Sequence, residues 1–355
     1  MYPINQKLST RINILKFLSI IMVVFIHSSP EVTAYNSLAG GSLSKQCLDF
    51  FIYSISQSIS RTAVPIFFLI SSILLYSKEF RWLTNMKKKC RSVLLPYLFW
   101  NSFWILFSYA AQSIKGIAEY FPRDSYYVRD YGILEWLRAY TYLNGNYPYL
   151  YTLWFLRDLF LLNLLAVVIK KLVDKAPAFI LILIAGLWFS NISLPFLDNQ
   201  TIVFFTLGYY IVKYRLDVNV LDRINSVIAI IFFAGFTVMD YTFSYTFPAV
   251  HNLSVVIGIL FFIKLSGRLL SYKICGRIVW LSKYSFIIYV FHEMNLSMLK
   301  TLSLIVFPQT ILVQLMEYLM IPVIIIIGCI IFGVILQKIS PGFYSIVTGN
   351  RNKGR

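Results

Sequence analysis

Arg11-Ile12-Asn13-Ile14-Leu15-Lys16-Phe17-Leu18-Ser19-Ile20-Ile21-Met22-Val23-Val24-Phe25-Ile26-His27 is an apolar run with a cation near its start and an imidazole at its end. On an α-helix Lys16 and His27 are about three turns apart, on nearly the same face, separated by roughly 16 Å along the axis. Asn13 falls close to that face and Arg11 does not. Membrane helices rarely carry ionisable groups without a use for them. The stretch therefore predicts a membrane-spanning helix with a functional imidazole, and the rest of the chain must supply what that imidazole faces.

Composition supports the membrane reading. Of the 355 residues, 58% are hydrophobic and 13% charged, about half the charge of a soluble domain. The net charge of +17 would suggest nucleic acid in a soluble chain. Here the cations sit between apolar segments, as topology signals and lipid anchors, so no nucleic-acid partner is expected. Cys47, Cys90, Cys275 and Cys329 are far apart and form no C-x-x-C, which argues against a disulfide framework. The three histidines have no metal-ligand spacing, and no metal site is expected. The N-terminal charges at Lys7 and Arg11 precede an apolar run without a small-residue cleavage pattern, which reads as a retained signal anchor.

The pattern predicts an all-α polytopic helix bundle of about ten transmembrane helices, near residues 12–29, 52–76, 93–112, 151–169, 177–194, 200–214, 224–241, 250–265, 277–293 and 317–337. Cations crowd the even loops: Lys78, Arg81, Lys87, Lys88, Lys89 and Arg91, then Lys170, Lys171 and Lys175, then Lys213, Arg215 and Arg223, then Lys264, Arg268, Lys273, Arg277 and Lys283. The positive-inside rule then places both termini in the cytoplasm. The third loop, roughly 113 to 150, faces out and holds Glu119, Arg123, Asp124, Arg129, Asp130, Glu135 and Arg138. Its tyrosines at 126, 127, 131, 140, 142, 147, 149 and 151 suit stacking on sugar rings. They equally suit an interfacial aromatic belt with a short amphipathic helix around Ile133 to Tyr140. No internal repeat, low-complexity tract or second soluble domain is evident.

This topology is also a depth map. His27, Arg61, Arg157, Asp158, His251, His292 and Glu293 fall in the outer parts of their spans, and Lys16 in the inner half. Pro65 is expected to kink the second span. Each polar residue has a structural reading: Lys16 snorkelling to inner headgroups, His251 as an interfacial histidine, Arg157 and Asp158 pairing with other helices. The last two are adjacent, so their side chains diverge by about 100° and are expected to need different partners. The shared depth favours a polar outer cavity. A histidine there suits a general base, and a nearby cation suits an anionic group or an oxyanion. No G-x-S-x-G elbow, Walker loop or dinucleotide fingerprint appears. The residues alone leave enzyme and transporter both open.

Four stretches, in order along the chain, resemble the acyltransferase-3 family of integral membrane O-acyltransferases, which includes bacterial glycan O-acetyltransferases. Lys16 and His27 are similar to its first-helix arginine, ten intervening residues and histidine, and Arg11 with Asn13 to its Arg-x-Asp opening. The run from Arg61 through Pro65, Phe67 and Phe68 to Ser71 and Ser72 resembles its arginine, proline, double phenylalanine and Ser-Gly pattern, with Ser72 where the family has glycine. Leu153 to Leu156 resembles its Trp-Phe-Leu, and Tyr284 to His292 its Ser…Ile-Tyr-Leu…His close. A lysine at position 16 offers a point charge where the family arginine offers a planar fork.

The resemblance implies one acyltransferase domain over residues 1–345, with a basic cytoplasmic tail at 346–355, in the bacterial inner membrane. It implies transfer of an acyl group, commonly acetyl, from cytosolic acyl-CoA as co-substrate, with no bound cofactor, to a sugar hydroxyl of an envelope glycan such as O-antigen or exopolysaccharide, often lipid-linked. His27 is the expected catalytic base. Lys16, Arg11, Arg61 and Ser71 are expected to bind the donor or the oxyanion, the first two together with the basic loop at 87–91. Trp154, Arg157, Asp158, His292 and Glu293 are expected to serve the acceptor. The rival classes are a flippase for a lipid-linked glycan, weakened by the lack of paired broken helices, and a non-catalytic scaffold.

Overall fold

The computed structural model describes residues 2–29, 42–116, 127–141, 147–190, 192, 194 and 197–349. Its described elements are helices, and seven of them are long and apolar enough to cross a membrane. The chain divides into two compact units.

Unit one comprises residues 1–80, 173–192 and 200–335. It opens with α1 (Gln6–Ser28), which Asn5 caps by accepting from the Leu8 N–H. Ile12, Ile14, Leu15, Phe17, Ile20, Val23 and Val24 are buried and lie all round the helix. A helix that is apolar on every side belongs in an interior. α1 accordingly packs against several other helices of its unit.

α2 (Leu43–Tyr53) runs into α3 (Ala63–Tyr76) as one 34-residue span. The join is a π-helical turn, Ser54–Ile59, followed by a 3-10 turn, Ser60–Thr62. The irregularity in this span therefore lies upstream of Pro65, where the kink was expected. Pro65 itself sits in the first turn of α3, where a missing N–H is tolerated. The serines of the π turn suit the join, because Ser56 donates to the Phe25 carbonyl at 2.6 Å and meets the Tyr318 hydroxyl at 2.8 Å. π turns of this kind recur at functional sites.

Unit two comprises residues 81–172, 193–199 and 336–355. It contains α4 (Trp82–Lys89), α5 (Leu95–Gln112), α6 (Ile133–Ala139) and most of α7 (Trp154–Lys175). Lys87, Lys88 and Arg91 are exposed. Asn101 of α5 donates to the Ala139 carbonyl and accepts from the Leu150 N–H. Tyr97 bonds the Tyr140 carbonyl, and Ser102 the Tyr140 hydroxyl. Tyr140 and the buried Tyr149 thus serve the packing of the third loop. Glu119, Arg123, Asp124, Tyr126 and Tyr142 lie outside the described residues.

Unit one continues through α8 (Pro177–Phe189), α9 (Asn199–Lys213), α10 (Ser226–Phe243), α11 (Pro248–Leu269), α12 (Cys275–Leu281), α13 (Ser285–Val306) and α14 (Ile311–Ile339), whose last residues with α15 (Pro341–Val347) belong to unit two. Of the ten expected spans, those at α8 and α9 are helices of 13 and 15 residues. The ninth differs most. α13 runs to Val306, thirteen residues past the expected end at 293. His292, Glu293, Asn295 and Lys300 depress its hydropathy, and each finds a polar group of the protein close by.

Ser72, where the family has glycine, finds its small partner across the helix contact. A Cβ on Gly208 of α9 would stand 2.6 Å from the Ser72 Cβ and 2.7 Å from the Leu69 carbonyl oxygen. Gly208→Ala is therefore expected to cost about 1–3 kcal/mol through overpacking, read as a lower melting temperature in detergent. An unchanged melting temperature would show that the two helices do not approach this closely.

Candidate active site

Three elements of unit one meet at the last turn of α1. α1 supplies His27, α13 supplies His292, Glu293 and Lys300, and the turn between α2 and α3 supplies Arg61. Glu293 Oε2 lies 3.4 Å from His27 Nδ1. The His27 and His292 rings stand 5.3 Å apart, tilted by 49°. Lys300 Nζ donates to the main-chain carbonyls of His27 at 2.5 Å and Ser29 at 3.0 Å. It thereby fills the carbonyl sites that a helix C-terminus leaves open. Arg61 is aimed by Gln57, whose Oε1 accepts from Nε at 2.9 Å and Nη2 at 2.5 Å. Arg61 and Lys300 both lie close enough to act electrostatically on His27.

Exposure separates the two histidines. The His27 side chain is 22% exposed, so a substrate can reach it. His292, expected to serve the acceptor, is fully buried beside it. Glu293, also expected to serve the acceptor, faces His27, because neighbours on a helix point about 100° apart. One donor atom each from His27, His292 and Glu293 lies within 4.8 Å of the others, a spacing that would also admit a metal ion. The sequence spacing had given no sign of it.

The other candidate residues sit as follows. Lys16 and Ser71 are half-buried. Ser71 is ten residues beyond Arg61, about 15 Å by helix rise, so the two cannot attend the same small group. Arg11 is 1% exposed. Its guanidinium donates to Ser266 Oγ, Asn219 Oδ1, Asp222 Oδ2 and the Ile263 carbonyl. Four of its five N–H donors are satisfied within the protein, where it ties α1 to α11 and to the 3-10 turn Val218–Arg223. Just outside the first span, Asp217 accepts from the Asn219 main chain and side chain, which holds its carboxyl below the usual range.

In unit two, Trp154 is half-buried. Arg157 and Asp158 pair with each other, with Arg157 Nη2 2.9 Å from Asp158 Oδ1, contrary to the expectation of separate partners. The long arginine side chain folds back along the first turn of α7. Its Nη1 donates to the Thr141 carbonyl at 3.0 Å, and the buried Asp158 also accepts from the Asp198 N–H. His251, read as interfacial, instead holds Asp240. Its Nδ1 is 3.1 Å from Oδ1 of that buried carboxylate, across α10 and α11. Lys300, Gln57 and Asp240 were missed by sequence reasoning. The length of α13 beyond residue 293 was the available signal for Lys300.

A partly accessible histidine with a carboxylate oxygen 3.4 Å from Nδ1 and cations nearby is suited to removing a proton from a hydroxyl. Comparison with known proteins gives the family. The acyltransferase-3 family model, described as an acyltransferase domain, matches residues 9–337. The succinoglycan biosynthesis protein ExoH of Rhizobium meliloti (strain 1021) is 29% identical over 252 residues, covering 69% of this chain and 65% of that relative. No solved structure matches. With helices alone among the described elements, the histidine of the first span in a cluster of polar groups and the family pattern running nearly end to end, this chain belongs to the acyltransferase-3 family.

Proposed function

We propose that this protein is a membrane O-acyltransferase that moves an acyl group, acetyl in the simplest case, from cytosolic acyl-CoA to a sugar hydroxyl of an envelope polysaccharide. The observation that carries the reading is the His27–Glu293 contact at the only partly exposed end of α1. The relative's name, a succinoglycan biosynthesis protein, supports a polysaccharide acceptor. The cation-rich even loops support cytoplasmic termini in a bacterial inner membrane. Lys16 and the exposed Lys87, Lys88 and Arg91 suit the phosphates of the donor, while Trp154 and the Arg157–Asp158 pair suit the acceptor side.

The Glu293 carboxylate, 3.4 Å from Nδ1, favours the tautomer with Nδ1 protonated, which leaves Nε2 as the base. As the sugar oxygen attacks the thioester carbonyl carbon, its proton passes to His27 Nε2. Arg61 offers positive charge to the oxyanion that forms. When the intermediate collapses, the carbon–sulfur bond breaks and the departing thiolate takes the proton back from His27. The products are the sugar ester and free CoA, and the enzyme returns to its starting state.

Glu293→Gln keeps the shape and loses the charge. It is expected to lower kcat by about a hundredfold or more with little change in KM, as when a histidine base loses its orienting carboxylate. A folded Glu293→Gln enzyme with the wild-type kcat would rule out the dyad.

A further inference from the structure

His292 carries a feature that the base chemistry of His27 does not itself require. Its Nδ1 lies 2.8 Å from the Tyr289 carbonyl oxygen and 3.2 Å from that of Ile288. A carbonyl oxygen can only accept, so Nδ1 bears the hydrogen and Nε2 the lone pair. That Nε2 is buried and has no hydrogen-bond partner among the described residues. A buried acceptor without a partner is costly and asks for a reason.

The reason lies in the neighbouring ring. When His27 takes the hydroxyl proton it becomes an imidazolium with two cations, Arg61 and Lys300, acting on it and the Glu293 carboxylate at 3.4 Å. A further fixed source of negative partial charge would favour that state, and it stabilises most if it need not reorganise. We propose that His292 is a positioning residue for His27: a neutral imidazole, locked by its own helix, whose Nε2 lone pair stabilises the imidazolium formed during transfer. The proposal rests on the reading of His27 as the base. His292 gains no proton at any step and, being fully buried, touches neither substrate.

The test compares His292→Leu, His292→Gln and His27→Ala in the purified full-length protein. Leucine fills similar space and removes the orphaned acceptor, so a merely structural role predicts an unchanged or higher melting temperature and unchanged turnover. The proposal predicts the same melting temperature but a kcat lower by on the order of tenfold to a hundredfold, with KM values for both substrates unchanged. Glutamine, whose amide oxygen reaches toward the Nε2 position, should recover most of that loss. The 15N spectrum of histidine-labelled protein should show His292 neutral, protonated at Nδ1 and bare at Nε2. Wild-type kcat in His292→Leu alongside an inactive His27→Ala would overturn this inference and leave His27 as the base. An active His27→Ala would instead remove the underlying reading. A proton or metal ion on His292 Nε2 would also overturn the inference. Should the leucine variant not fold, a folded glutamine variant with lost turnover would overturn it, and one with near wild-type turnover and a bare wild-type Nε2 would support it.

Discussion

His27→Ala is expected to lower acyl transfer by about 10²- to 10⁴-fold, the range that a positioned general base contributes, and to do so in a protein that still folds. The contacts around the residue give the second half of that expectation. Lys300 bonds the His27 main-chain carbonyl, which alanine retains. The end of α1 is also held by Ser56 on the Phe25 carbonyl and by the Tyr318 ring, 5.6 Å from that of Phe25. The variant should therefore keep its melting temperature while losing turnover. Combining His27→Ala with Glu293→Gln should add almost nothing to the loss, because residues that act as a unit are non-additive. An additive double variant would separate Glu293 from His27 functionally.

The second large effect is on stability. Arg11→Met keeps much of the apolar stem and removes the guanidinium that joins Ser266, Asn219, Asp222 and the Ile263 carbonyl. Removing one member of a buried, hydrogen-bonded ion pair costs about 3–5 kcal/mol. Asp222 keeps 30% of its side-chain surface in solvent, which places the expected cost at the lower end of that range, about 3 kcal/mol. The measurement is thermal unfolding in detergent, with Asp222→Asn expected to be milder. Gly267 belongs to the same joint, since a Cβ there would stand 2.1 Å from Asp222 Oδ1. The fraction of Arg11→Met that folds should bind acyl-CoA with unchanged KM. A stable Arg11→Met protein with a strongly raised KM for acyl-CoA would return Arg11 to the donor site.

Arg11 shows where sequence reading stops. Its charge and its place at the head of the first span were legible, and they suggested a phosphate ligand. Its partners lie more than 200 residues further on, and nothing local announces them. His27 stood out because the expected topology put the polar residues of several spans at one depth and because the family pattern singles out that position. Glu293 was legible as a polar group beside His292, but not as the partner of His27, since the 100° step between helix neighbours shows only that the two diverge. The π turn at Ser54–Ile59 was hidden for another reason. Pro65 marked an irregularity, but where the helix absorbed it depended on hydrogen bonds to α1 and α14. The lengths of α8 and α13 escaped hydropathy in opposite directions. The first ends before its apolar run does, and the second continues through polar residues that protein contacts satisfy.

The proposed acyl transfer is tested most directly by supplying labelled acetyl-CoA to inverted membrane vesicles that contain the protein and its lipid-linked glycan. The account predicts label in the glycan as an alkali-labile ester, absent when His27 is alanine. Movement of glycan across the membrane with no label in it would contradict the account and point to a flippase.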